Sequence, residues 1–185
     1  GMTALNREHQ KTEPSFTIIG PDRVHPGDLG HLIMAYLYLQ AQGAPALVSR
    51  VEIAAGQVLR ADNCTVTGVQ ATPTGLRFDY LAKALPWAID DSARGALALV
   101  PLEADLDQEV LQVKLPGAGP YQLRIDGQLV GEYTGEQLAA GVNLALNPRT
   151  PQFQQARQVA AANERRRATE MRLRTHAQMK MMFTQ

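Results

Sequence analysis

Asp22 and His25 stand three residues apart in Gly20-Pro-Asp-Arg-Val-His-Pro-Gly-Asp-Leu-Gly-His31. A histidine works as a general base when its tautomer and ring orientation are fixed. A carboxylate on one ring nitrogen fixes both and stabilises the imidazolium as it forms. An Asp at this spacing reaches the imidazole across a tight turn. Pro26 disfavours helical backbone at His25, and Pro21 fixes φ at the other end, so the pattern predicts a loop. Asp28 is placed to cap the helix that follows. Asp and His beside prolines also occur in ordinary turns, where Asp22 would simply close the turn.

A base needs a partner. The chain has three serines, Ser15, Ser49 and Ser92, and none lies on a strand-to-helix elbow. Ser92 beside Asp91 and Arg94 sits in a polar stretch without that context. The four histidines, His9, His25, His31 and His176, are not spaced as a metal cluster. The single Cys64 excludes an internal disulfide and makes no zinc site without several other ligands. Neither a cofactor nor a metal is expected.

Asp22-Arg-Val-His-Pro26, followed by Gly30-His31 and Met34-Ala35, resembles the last conserved block of the SGNH hydrolases, the GDSL-type esterases and lipases. The resemblance extends through the following helix to about Gly43. Weaker similarity continues in Tyr121-Gln-Leu-Arg-Ile-Asp-Gly127 and Ala139-Ala-Gly-Val-Asn-Leu-Ala145, which are similar to a β-rich C-terminal region of some bacterial members. The resemblance implies that Asp22 and His25 are the Asp and the base of a Ser-His-Asp triad. The substrate it implies is a carboxylic ester: an acyl lipid, an acylated carbohydrate or a small ester. The family's Gly-Asp-Ser block is absent, as are its oxyanion-hole glycine block and its Gly-x-Asn-Asp block. The chain therefore reads as a C-terminal portion that supplies base and acid without the nucleophile, and little or no esterase activity is expected of it alone. The alternative is a non-catalytic β-rich binding or oligomerisation module.

The elements that must position Asp22 and His25 follow from the pattern. Ser15-Phe-Thr-Ile-Ile19 is a β-branched run ending at Gly20, read as a strand, with an isolated extended arm as the alternative. A helix is predicted over 28–42, stopped by Gly43. Its apolar residues cover nearly every face, so burial on most sides is expected. His31, on its first turn, reads as a packing or capping residue. Residues 47–53 and 57–61 read as strands. Runs 64–71 and 75–81 flank a turn at Thr72-Pro-Thr-Gly75. Trp87 is expected in a core, or lining a groove. Ala96 to Val100 reads as a strand ended by Pro101, and 108–115 alternates again. Runs 121–125 and 128–133 around Asp126-Gly127 are the clearest hairpin, with a type I′ turn.

Thr134 opens a short helix with a capping-box pattern, stopped by Gly141. Thr150 and Pro151 start a long helix to Met182, roughly 48 Å. Its second half is basic, with Arg165, Arg166, Arg167, Arg172, Arg174 and Lys180 facing only Glu164 and Glu170. A solvated face is the reading, since the aromatic residues that stack nucleic-acid bases are missing. Met171, Met179, Met181, Met182 and Phe183 read as a packing edge.

The expected class is α+β: a strand-loop-helix remnant of an α/β domain over 1–46, an antiparallel sandwich-like β region over 47–133, and helices over 134–185 packing back on the rest. In 185 residues the 18 basic and 18 acidic side chains cancel, so no global field points to nucleic acid or an anionic membrane. No apolar run is long enough to span a bilayer. The partners expected are an ester substrate and, through the long helix and the apolar helix 28–42, another copy of the chain. Gly1 before Met2 looks like an expression scar.

Overall fold

A computed structural model describes residues 1–20, 22–117 and 119–183, with the side chains of 181–183 outside the description. The fold is mixed α+β, with small sheets and a long C-terminal helix. Helices are α1 (Met2–Gln10), α2 (Asp28–Ala41), α3 (Leu102–Leu106), α4 (Gly135–Ala140) and α5 (Pro151–Phe183). Strands are β1 (Leu47–Ala54), β2 (Gln57–Asp62), β3 (Cys64–Thr72), β4 (Gly75–Ala82), β5 (Gln108–Lys114), β6 (Pro120–Ile125), β7 (Gln128–Thr134) and β8 (Val142–Asn143).

A four-stranded sheet runs β2-β1-β5-β8, and β3-β4 and β6-β7 form separate hairpins. The hairpins are antiparallel, as the alternating runs and turn residues predict. Asp126 and Gly127 both take positive φ, 51° and 79°, as a type I′ turn demands. Thr134 caps α4 with the full capping box, and Thr150 Oγ1 accepts the Phe153 N–H to open α5. At the sheet's centre, however, β1 and β5 are parallel, from Leu47–Gln108 to Ala54–Lys114. The all-antiparallel expectation for 47–133 is corrected there. A parallel pair needs a crossover, and the 3₁₀ segment Asp91–Ala98 with α3 supplies it.

That 3₁₀ segment replaces the strand expected over 96–100. Ala93, Ala96 and Val100 recur at helical spacing and pack on α2, in one core with Ile18, Leu32, Ile33 and Tyr36. A second core joins Val51, Ile53, Leu111 and Val113 of the sheet to Cys64 and the inner side chains of β3-β4. Cys64 is buried, its thiol donates to Arg50 O at 3.4 Å, and burial raises its pKa.

Residues 15–19 form no strand. The run is irregular, turning at Ser15 and bending at Ile18–Ile19, so it is neither the strand nor the extended arm; Asn6 Oδ1 accepting the Ile18 N–H at 3.1 Å and the burial of Ile18 against α2 hold it. Helix α2 buries Gly30, Leu32, Ile33 and Tyr36 but leaves Met34 45% and Tyr38 66% exposed, so it is covered on one side and not on most. Gly43, at φ +69°, ends it as expected, with Ala44 N–H donating to Leu39 O. Asp28 is its first residue and not its cap. Gly27 takes the cap position, and the Asp28 carboxylate complements the helix dipole instead.

Only the start of α5 packs back on the rest. Phe153 and Ala156 are buried, while from residue 157 to 180 all but Glu170 are exposed. Met171 and Met179 are therefore not a packing edge in this chain, and Met181, Met182 and Phe183 lie outside the described side chains. No helix of the described residues is long and apolar enough to cross a membrane.

Candidate active site

Asp22 and His25 are in contact. His25 Nδ1 lies 2.7 Å from Asp22 Oδ2. The second carboxylate oxygen, Oδ1, accepts the backbone N–H groups of Val24 and His25, each at 3.0 Å. The carboxylate therefore cannot swing away from the ring without giving up two backbone hydrogen bonds. The hydrogen bond from His25, then the His25 and Val24 backbone donors, hold the Asp22 carboxyl at about 2, so it stays ionised wherever an imidazole titrates.

The loop closes on itself. Gly20 N–H donates to His25 O at 3.1 Å, and Arg23 N–H to Gly20 O at 2.8 Å. A Cβ on residue 20 would stand 2.6 Å from His25 O, so only glycine allows this closure. Gly30 fixes the loop's other end. A Cβ there would meet Ile18 O at 2.3 Å and Pro26 Cβ at 2.8 Å, so Ile18 and the loop exit both lie directly on the helix. The predicted role of Pro21 falls outside the described residues.

With Asp22 holding Nδ1–H, the lone pair of His25 falls on Nε2, the tautomer a general base requires. Nε2 has no hydrogen-bond partner among the described residues, and the ring is 84% exposed. No serine reaches it. Ser15 is exposed beside Glu13, Ser92 is exposed, and Ser49 is buried and hydrogen-bonded to Tyr80 Oη at 2.7 Å. Among the described residues His31 makes no hydrogen bond or ring contact with His25. It lines a groove with Trp87, which is half-buried at the edge of the first core.

A buried acidic pair escapes the sequence reading. Asp107 and Glu109 are both buried, and each keeps one carboxylate oxygen without a partner. Asp107 Oδ1 accepts the Trp87 N–H at 2.9 Å, and Glu109 Oε1 accepts Tyr80 Oη–H at 3.2 Å. Asn143 clamps the surroundings, its Oδ1 accepting Glu109 N–H and its amide donating to Asp107 O and Glu103 Oε1. Burial raises Asp107 to about 6, against the Trp87 hydrogen bond. Burial raises Glu109 to about 7, against the Tyr80 hydrogen bond and with the Asp107 charge adding to it. The signal was present in Gln108-Glu-Val-Leu-Gln-Val-Lys114, where Glu109 shares its strand face with Leu111 and Val113. Among the described residues, no three His, Cys, Asp or Glu gather as a metal site.

No protein-family model and no curated protein matches the chain. A solved structure does, described as BT4096, a gut microbial diltiazem-metabolizing enzyme: TM-score 0.82 and 40% sequence identity, over 89% of this chain and 40% of that one. The chain thus spans 40% of the length of the enzyme it matches.

Proposed function

We propose that the chain carries the His–Asp half of an SGNH-type ester hydrolase site, completed by a serine from a segment outside the 185 residues. The observation that carries this reading is the 2.7 Å contact between Asp22 Oδ2 and His25 Nδ1, with Nε2 left facing outward. The diltiazem-metabolizing neighbour, longer than this chain and 40% identical to it, supports an enzymatic and multi-segment context.

In this mechanism His25 Nε2 takes the proton of the serine hydroxyl as its oxygen attacks the ester carbonyl. Asp22 stabilises the imidazolium and holds the ring. The proton then passes from Nε2 to the leaving alkoxide. Water, deprotonated by the same nitrogen, releases the acyl group and restores the serine.

The test is p-nitrophenyl acetate turnover with a fluorophosphonate label read by mass spectrometry. The 185-residue chain gives neither turnover nor an adduct, and His25→Ala changes nothing in it. The full natural product of the gene turns the ester over and loses about 10³-fold or more with His25→Ala. Full activity in that variant, or an adduct on Ser15, Ser49 or Ser92, would refute the reading.

A further inference from the structure

The first turns of α2, residues 85–93 and residues 156–163 of α5 line an open groove of about 530 Å³. That is within the roughly 300–1,000 Å³ of small-molecule sites. Its floor is apolar, built from Leu32, Ala93 and Val159 around Trp87. The charged residues that line it are Asp28 and Asp90, and among the described residues no lysine or arginine does. Arg94, the cation of the adjoining 3₁₀ segment, is turned to Asp91 at 3.0 Å. Neither Asp28 nor Asp90 makes a side-chain hydrogen bond or ion pair among the described residues, and Asp90 does not cap the segment it precedes.

We propose that this groove binds an organic ammonium ion, its cation drawn by Asp28 and Asp90 and its apolar body laid on Trp87 and the floor. Two carboxylates with no cationic side chain beside them, over an apolar surface, discriminate by charge: they repel an anion and leave a neutral ligand only its burial. A cation gains the Coulomb attraction and the face of the indole. A quaternary ammonium suits the site best, because its alkyl shell is weakly hydrated and loses little on leaving water. His31 and Ser92 on the rim supply hydrogen bonds for a polar substituent on such a ligand. The groove is separate from the ester chemistry proposed for His25 and stands whether or not that reading holds.

Trp87 is the only tryptophan, so its emission reports the groove directly. Benzyltrimethylammonium is titrated into the chain at pH 8 and low salt, beside benzyl alcohol and phenylacetate. The cation saturates the emission change, at roughly tenfold or greater preference over the neutral and anionic probes. The Asp28→Asn/Asp90→Asn variant loses about that preference and keeps its weak affinity for benzyl alcohol. Equal affinity for the three probes in the unmodified chain overturns the proposal without recourse to any variant. So does unchanged cation affinity in a folded variant, or an emission change on dilution alone, which would mean that a second copy fills the groove.

Discussion

Asp22 acts through geometry at least as much as charge. Its two backbone hydrogen bonds aim Oδ2, and Oδ2 selects the His25 tautomer. Asp22→Asn keeps the shape but offers an amide that can stabilise the wrong tautomer. In the full gene product it should lower kcat by about 10³- to 10⁴-fold with KM little changed. A drop in affinity alone would assign Asp22 to substrate binding. Gly30 is the second residue on which the site depends. Gly30→Ala forces its Cβ against Ile18 O and Pro26, and we expect a loss of about 1–3 kcal/mol in urea unfolding. A loss under about 0.5 kcal/mol would mean that Ile18 shifts freely away from α2. The Asp22–His25 contact was legible in the sequence because it is local: three residues, a turn and the flanking prolines specify it. Gly30 was not, because nothing in the sequence says that Ile18 passes over it.

At the scale of elements, the sequence speaks clearly where structure is local. Asp126-Gly127, the Thr134 capping box and Thr150-Pro151 each determine their own turn or helix start, and all three form as read. The parallel β1-β5 pairing was hidden because the partners lie some sixty residues apart and alternate like any antiparallel strands. Ala96–Val100 reads as a strand in the sequence because a short apolar run suits a strand and a buried helical turn equally. The same non-local pairing buries Asp107 and Glu109 beneath Trp87 and Tyr80, and this gives a prediction in pH. Both carboxyls titrate higher in the folded chain than their ordinary 3.8 and 4.5, so folding favours their protonated forms. Their contribution is full below about pH 4 and is lost as pH rises through 6 to 7, on the order of a few kcal/mol. Asp22 is shifted the opposite way, and its contribution disappears only as pH falls toward 2. Stability in urea should therefore fall from pH 5 to pH 8, and Glu109→Gln should remove roughly two thirds of that fall. A slope unchanged in this variant would show that Glu109 is already neutralised by a partner.

At the scale of the whole molecule, the uncovered surfaces among the described residues include the Met34–Tyr38 side of α2 and α5 from residue 157 to 180. Helix α5 is 33 residues and about 50 Å long, but only its start is anchored by Phe153 and Ala156. Its existence was legible from its caps and composition. Its lack of tertiary support was not, because apolar residues such as Met171 and Met179 read as a packing edge wherever a partner is assumed. Beyond residue 160 it is held by i,i+4 pairs such as Glu170 with Arg166 and Arg174, each worth only about 0.2–0.5 kcal/mol. Most helical stability in proteins comes from packing of an apolar face, and this stretch has none. Ending the chain at residue 160 should thus leave the melting temperature within about 2 °C while far-UV ellipticity falls. The amides of 165–180 should exchange early in the intact chain. A truncation that lowers the melting temperature in proportion to protein concentration would reverse this. The distal helix would then be an interface between copies, and Met171, Leu173 and Met179 the residues buried in it.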